Sequence, residues 1–423
     1  MERRGPLGSY LFRYPSISHR DFAATLRGIF LPELALLSSE KIFRLHGLDA
    51  LRALAIVSVM IFHLQTSLPN ALQVIGNIGW MGVDLFFVLS GFLIGSQLLR
   101  PFAAGRKLDV TAFYIRRAYR ILPAYLAVLL LYFAVPGWRE RPGLAAPWKF
   151  VTFTANLVMN YPEEMAFSHS WSLCIEEHFY LLLPCFVIWQ MRRPAVWKTT
   201  VLVASVILGG IFLRGWELFH VVRAPGLADE ESWALLMKRI YYPTYCRLDG
   251  LVCGIVLASI LTFRPAWWAK VSHRGNALFA MGMMIFGAGI WLFKGKYPSF
   301  ETPGGILYGF PLVSIGFAFL VSAAVASNGL LRSRIPGART LATLAFSLYL
   351  THKEVAHVDR RIFPWLEGNT GWLAAGVYAV TCLAFAGSLY LCVERPFLLL
   401  RDRHMERERS REVSVGVRLD PAS

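Results

Sequence analysis

Charge is scarce in this sequence. Only 17% of its 423 residues are Asp, Glu, Lys or Arg, while 56% are hydrophobic; ordinary soluble domains carry roughly a quarter charged residues. That deficit excludes a disordered chain and a charge-laced coiled coil. Cysteine supplies no scaffold. Cys174, Cys185, Cys246, Cys253, Cys382 and Cys392 fall inside apolar stretches, without CxxC pairs or histidines at zinc spacing. A disulfide-stapled secreted module is thereby excluded; small core residues are expected, and no metal site. Acidic residues are outnumbered 27 to 43, leaving a net charge of +16. The basic residues sit in short clusters between apolar runs, with no basic domain or aromatic platform, so nucleic acid is not the expected partner. What remains is a polytopic membrane protein.

A bilayer core takes about 20 mostly apolar residues per helix. Ten stretches qualify, at 48–66, 81–99, 121–136, 171–190, 199–214, 241–262, 277–293, 305–326, 340–358 and 371–393. The expected fold is an all-α bundle of about ten transmembrane helices. Residues 147–161 are apolar but short, and suit an interfacial or re-entrant piece. Placing the N-terminus inside puts roughly 29 Lys and Arg in inside segments and roughly 11 outside. Without the terminal tails the margin falls to roughly 15 against 11. Both termini are therefore expected in the cytoplasm. Residues 1–44 read as a cytoplasmic extension with an amphipathic helix over 22–37, not as a cleaved signal. Residues 45–397 form the membrane domain, and 398–423 a charged cytoplasmic tail, disordered from Arg401. No second soluble domain is expected within these residues, and no internal repeat is visible in them.

Ionisable groups inside spans are costly and mark function by default. In the first span Asp49, Arg52, Ile56, Val59 and His63 share one helical stripe. Asp49 and Arg52 are spaced to pair. His63 lies 14 residues past Asp49, roughly 21 Å deeper along the axis; a lone buried histidine is commonly just satisfied by a carbonyl. The second span carries Asp84, structural or catalytic, and a Ser90-Gly91 pair suited to close helix approach. Arg100, Arg106 and Lys107 follow, then FYIRRAYRILPAY with Arg116, Arg117 and Arg120. Such a cluster usually anchors the inner face, yet Arg117 and Arg120 share a helical face and guanidinium forks suit phosphate. The fourth span opens SHSWSLCIEEHFY, where Ser172, Glu176 and Tyr180 share a face beside Trp171. Arg247 and Asp249 in YCRLDG suggest an interhelical ion pair, with Gly250 and Gly254 as a small-residue ridge. The ninth span places His352, Lys353 and Glu354 near its middle.

Together these residues resemble the acyltransferase family 3 membrane proteins, O-acyltransferases that modify bacterial polysaccharides and antibiotics. The resemblance runs in order from Leu48 to Phe397 through LDALRALAIVSVMIFH, GVDLFFVLSGFLI, FYIRRAYRILPAY, HSWSLCIEEHFYLLLP, RLDGLVCGIVLA, SLYLTH and VERPF. It implies a bacterial inner-membrane enzyme moving an acyl (acetyl) group from acyl-CoA to a carbohydrate or glycoside hydroxyl. It further implies His63 and Glu176 as catalytic residues. Arg52, Arg116, Arg117 and Arg120 would hold the coenzyme phosphates. Asp49, Asp84, Ser172, Trp171, Arg247 and His352 would shape the substrate pocket. Cys174, Ile175 and His178 stand where the family commonly has Ser, Val and Gln, and Lys353 is unusual after its histidine. No fused esterase domain is expected after the last span.

Under this reading His63 is the general base, since neutral imidazole accepts a proton near pH 7. Glu176 orients His63 or contacts the acceptor; the sequence leaves both open. The roughly 21 Å between inner edge and base suits a pantetheine arm threaded into the bundle, with the acceptor entering from outside. The alternative is a multi-pass transporter or flippase of lipid-linked saccharides, which calls for repeat symmetry and broken helices. A non-catalytic bundle is the other alternative. An unrelated membrane-bound O-acyltransferase type fits less well, because the surroundings of His63 and His352 do not match it.

Overall fold

Each of the ten apolar stretches lies on one of ten principal helices. The computed structural model describes residues 45–192 and 195–418; the 1–44 extension and its expected helix lie outside the described residues. The helices are α1 (His46–Leu64), α2 (Gly82–Ala103), α3 (Val110–Ala134), α4 (Trp171–Arg192), α5 (Val196–Glu217), α6 (Asp249–Phe263), α7 (Gly275–Leu292), α8 (Phe310–Val325), α9 (Ala338–Ile362) and α10 (Trp372–Leu389). No strand occurs among the described residues.

Eight of these helical segments are long and apolar enough to cross a membrane, and a ninth if α6 is joined to Pro265–Ser272 across its 105° bend. The exception is α9, with 25 residues but too much charge. It lies against α1 and α10, and its Thr351, His352 and Glu354 are wholly buried. A polar helix is tolerable there because its polar side face meets protein instead of lipid. Residues 147–161 do not span; they form two short helical pieces, Pro147–Val151 and Ala155–Val158.

Some boundaries differ from expectation. The third span was expected to begin at 121. Instead Asp109 caps α3, its carboxylate accepting from Ala112 N at 2.8 Å, so Arg116, Arg117 and Arg120 are helical. The sixth span was expected from 241. Pro243 interrupts it, the chain turns through Thr244–Cys246, and regular helix starts at Asp249. The tail expected to be disordered from Arg401 is instead helical to Arg418, continuous with α10 through Tyr390–Glu394. Opposite charges three apart, as in Arg403 and Glu406, favour that continuation. Four cysteines are buried as expected, whereas Cys185 and Cys392 face outward.

The α2–α6 crossing fixes the centre of the bundle. A Cβ on Gly91 would stand 2.1 Å from Leu251 O, and one on Gly254 2.2 Å from Val88 O. Only glycine lets two backbones approach so closely in an apolar medium. The crossing brings Asp84 of α2 to Arg247, just ahead of α6, where Arg247 Nη2 donates to Asp84 Oδ1 at 2.9 Å. Asp249 turns the other way, to Arg214 of α5, whose Nη1 donates to Asp249 Oδ2 at 2.8 Å. The ion pairing expected around Arg247 and Asp249 is real, but with two other helices.

Candidate active site

Two polar clusters lie within the bundle, and the sequence reading had merged them. The first collects at the C-terminal end of α1. His63 Nδ1 lies 3.0 Å from His352 Nε2 on α9, and 3.1 Å from Val59 O one turn back. His352 Nδ1 lies 3.0 Å from Leu348 O and 3.0 Å from Tyr349 O. His169, ahead of α4, completes a row of three histidines; its ring centre is 5.4 Å from that of His352.

Local backbone sets His169 in place. Phe167 adopts a left-handed conformation (φ 59°, ψ 24°) that a large side chain rarely takes. Its ring is fully buried against Tyr125, Tyr132 and Phe150, and its N–H donates to Glu140 Oε1 at 3.1 Å. This turn presents Ser168 and His169 inward, a strained placement of the kind found at functional sites. Lys353 Nζ then donates to Glu140 Oε1 at 3.0 Å and to Ser168 Oγ at 3.2 Å. Tyr349 OH donates to His169 O at 2.7 Å, and so accepts from Ser172 Oγ at 2.5 Å.

A cavity opens between these groups, lined by His63, Ser168, His169, Trp171 and Tyr349, and by Trp80, Tyr241, Tyr242 and Tyr297. Aromatic walls with a few polar groups are the usual lining of a small-molecule site. Trp80 Nε1 is buried without a hydrogen-bond partner. Tyr297 lies in the connection between α7 and α8. Burial beside the phenols of Tyr241 and Tyr242 pushes its own phenol well above the ordinary range, so it remains neutral, its hydroxyl donating to Met237 Sδ at 3.6 Å.

Glu140, His169 and Glu354 offer ligand atoms within 4.8 Å of one another. Glu140 is already engaged by Lys353, Tyr132 and the Phe167 N–H, and a cation there would compete with the ammonium. His169 Nδ1 and both Glu354 oxygens are buried without a hydrogen-bond partner, His169 Nδ1 lying 3.8 Å from Glu354 Oε1.

The second cluster lies between α2, α3 and α4. Glu176 Oε2 accepts from Ser90 Oγ at 3.0 Å and from Tyr180 OH. Arg117 Nη2 donates to Gln97 Oε1 at 3.2 Å, its guanidinium 5.6 Å from the Tyr180 ring centre, and its Nε is buried without a partner. Arg120 is ion-paired with Glu394, which also accepts from Ser347 Oγ at 2.8 Å. Glu176 is thus bonded to Ser90 and Tyr180, whereas the side chain within hydrogen-bond distance of His63 is His352.

The remaining expected residues fall as follows. Trp171 lines the cavity and Ser172 braces Tyr349. Arg247, paired with Asp84, stacks on Phe310 at 3.9 Å and Tyr241 at 4.8 Å, behind the cavity wall. Asp49 is buried and Arg52 half-buried near the start of α1, and Arg116 is half-buried on α3. Sequence reasoning passed over His169, Glu140, Arg214 and Glu394. His169 stood in the SHSW string and Glu394 in VERPF, but the ion-pair partners of Glu140 and Glu394 lie 213 and 274 residues away, which no spacing signal reveals.

A family model for an acyltransferase domain matches residues 45–393. The chain is 28% identical over 372 residues to YrhL of Bacillus subtilis (strain 168), covering 83% of this chain and 54% of YrhL. It is 28% identical over 340 residues to the O-acetyltransferase OatA of Staphylococcus aureus (strain NCTC 8325 / PS 47), covering 73% of this chain and 50% of that one. It is 26% identical over 358 residues to the peptidoglycan O-acetyltransferase OatA of Listeria monocytogenes, covering 79% and 53%. The chain thus spans about half the length of these relatives. No solved structure matches it.

Proposed function

The chain belongs to the acyltransferase-domain family, and from that premise we propose that it is an integral-membrane O-acyltransferase. In this reading it moves an acetyl group from acyl-CoA, bound at the cytoplasmic side, to a carbohydrate hydroxyl presented from the opposite side. The observation that carries the proposal is His63: a histidine held by a second side chain, in the lining of an aromatic cavity. A base so placed and so oriented is what hydroxyl activation requires.

The chemistry balances at His63. The imidazole takes the acceptor hydroxyl's proton as its oxygen attacks the thioester carbonyl. The C–S bond then breaks, and the proton passes from imidazolium to the departing thiolate. Trp80 Nε1–H, which has no hydrogen-bond partner, is the donor at the cavity wall suited to the developing oxyanion. Aromatic faces such as Trp171 and Tyr241 suit the apolar face of a sugar ring.

The phosphate role falls to Arg117, with Arg116 and Arg52 nearer the inner edge. Arg120 directs its charge to Glu394 and is the structural member of the motif. Glu176, bonded to Ser90 and Tyr180 beside Arg117, belongs with the donor-binding side of the site. Both termini are then cytoplasmic, in a bacterial inner membrane, following the Lys and Arg distribution.

The test uses membrane vesicles with and without the full chain, supplied with acetyl-labelled coenzyme A. Label should enter base-labile ester in the carbohydrate fraction only where the chain is present. Incorporation equal in both preparations would refute the proposal.

A further inference from the structure

We infer that His352 is a positioning residue that sets which ring nitrogen of His63 carries the proton. This rests on His63 being the base and says how that base is prepared. His352 Nδ1 faces two carbonyl oxygens, of Leu348 and Tyr349, each at 3.0 Å. Carbonyls only accept, so that nitrogen bears hydrogen. Neutral His352 then offers a lone pair at Nε2. His63 Nδ1 stands 3.0 Å from that lone pair and 3.1 Å from Val59 O. Between two acceptors, His63 Nδ1 is the protonated nitrogen. Its Nε2 is left unprotonated, on the opposite edge of a ring that lines the cavity.

The arrangement is directional. Val59 O alone would favour the same tautomer through one shared hydrogen bond; His352 adds a second acceptor and, fully buried on α9, holds the ring in place. A side chain at 352 with no acceptor removes that bias. Glutamine keeps it, because its amide oxygen accepts while its NH2 group serves the carbonyls.

The test is 15N NMR of histidine-labelled full-length protein in detergent, with the His63 resonances identified by their loss in His63→Gln. The unaltered protein should show His63 protonated on Nδ1 with Nε2 bare. In His352→Leu the Nε2–H tautomer should gain population, and kcat should fall about tenfold with KM for acetyl-CoA unchanged. A tenfold loss corresponds to about 1.4 kcal/mol, the scale of one net hydrogen bond. His352→Gln should restore both tautomer and rate.

Finding His63 protonated on Nε2 in the unaltered protein overturns the inference, as does a tautomer ratio that His352→Leu leaves alone. Should His352→Leu fail to fold, the spectra of the unaltered protein and the Gln variant decide the matter. A tautomer shift without any change in kcat would support the positioning role and refute the base assignment instead, so the two failures are distinguishable.

Discussion

Replacing Arg214 by methionine should cost the bundle about 3–5 kcal/mol. Arg214 is wholly buried on α5, and its guanidinium grips both Asp249 oxygens, at 2.8 and 3.3 Å. It also donates to Cys246 O at 2.5 Å and to Leu307 O at 3.3 Å. Methionine fills the space of the stem but leaves the buried Asp249 without its counter-charge. Two unit charges about 4 Å apart interact by about 4 kcal/mol at an effective dielectric constant near 20, which agrees with that range. The double variant Arg214→Met with Asp249→Leu removes both charges and should recover most of the loss, since the cost arises from a stranded ion. The assay is thermal unfolding of detergent-purified protein, read by intrinsic tryptophan fluorescence and size exclusion. If the single variant melts with the unaltered protein, or the double variant is no better than the single one, the reasoning is refuted.

Arg117→Ala should raise KM for acetyl-CoA at least tenfold without lowering the melting temperature, whereas Arg120→Ala should lower the melting temperature by stranding Glu394, and Glu394→Gln should partly rescue it; donor-dependent initial rates and thermal melts separate the two. Gly91→Ala puts a methyl 2.1 Å from Leu251 O, so forcing α2 from α6 should cost about 1–3 kcal/mol in the same unfolding assay. Trp80→Phe keeps the aromatic packing but removes an indole N–H. A fall in kcat of about 10²-fold at unchanged KM, measured on labelled acetyl transfer, is the expected signature of a lost oxyanion donor.

The membrane class and the helical stretches were legible because the bilayer imposes long apolar runs that composition reveals directly. The glycine crossing was legible too: Ser90-Gly91 and Gly250 with Gly254 were small residues in apolar surroundings, and they meet as backbone contacts. Helix starts were less legible. Asp109 as a cap and Pro243 as a break are local signals weaker than the hydropathy around them. Partnerships across the bundle were not legible. Arg120 with Glu394, Lys353 with Glu140, and Arg214 with Asp249 depend on which helices are neighbours, which spacing within one helix does not encode. The same limit explains Glu176, whose motif suggested a partner for His63 while the fold delivers His352. His352 was visible as a buried histidine, but its contact needed the packing of α9 on α1.

The central claim is that His63 moves a proton during acyl transfer. The direct measurement is acetyl product formed per amount of folded, detergent-extracted protein for His63→Gln, with retained folding checked by an unchanged melt. Glutamine keeps a hydrogen-bonding group but takes up no proton near neutral pH. The account predicts a loss of about 10²–10⁴-fold; near-normal turnover in that variant would contradict it.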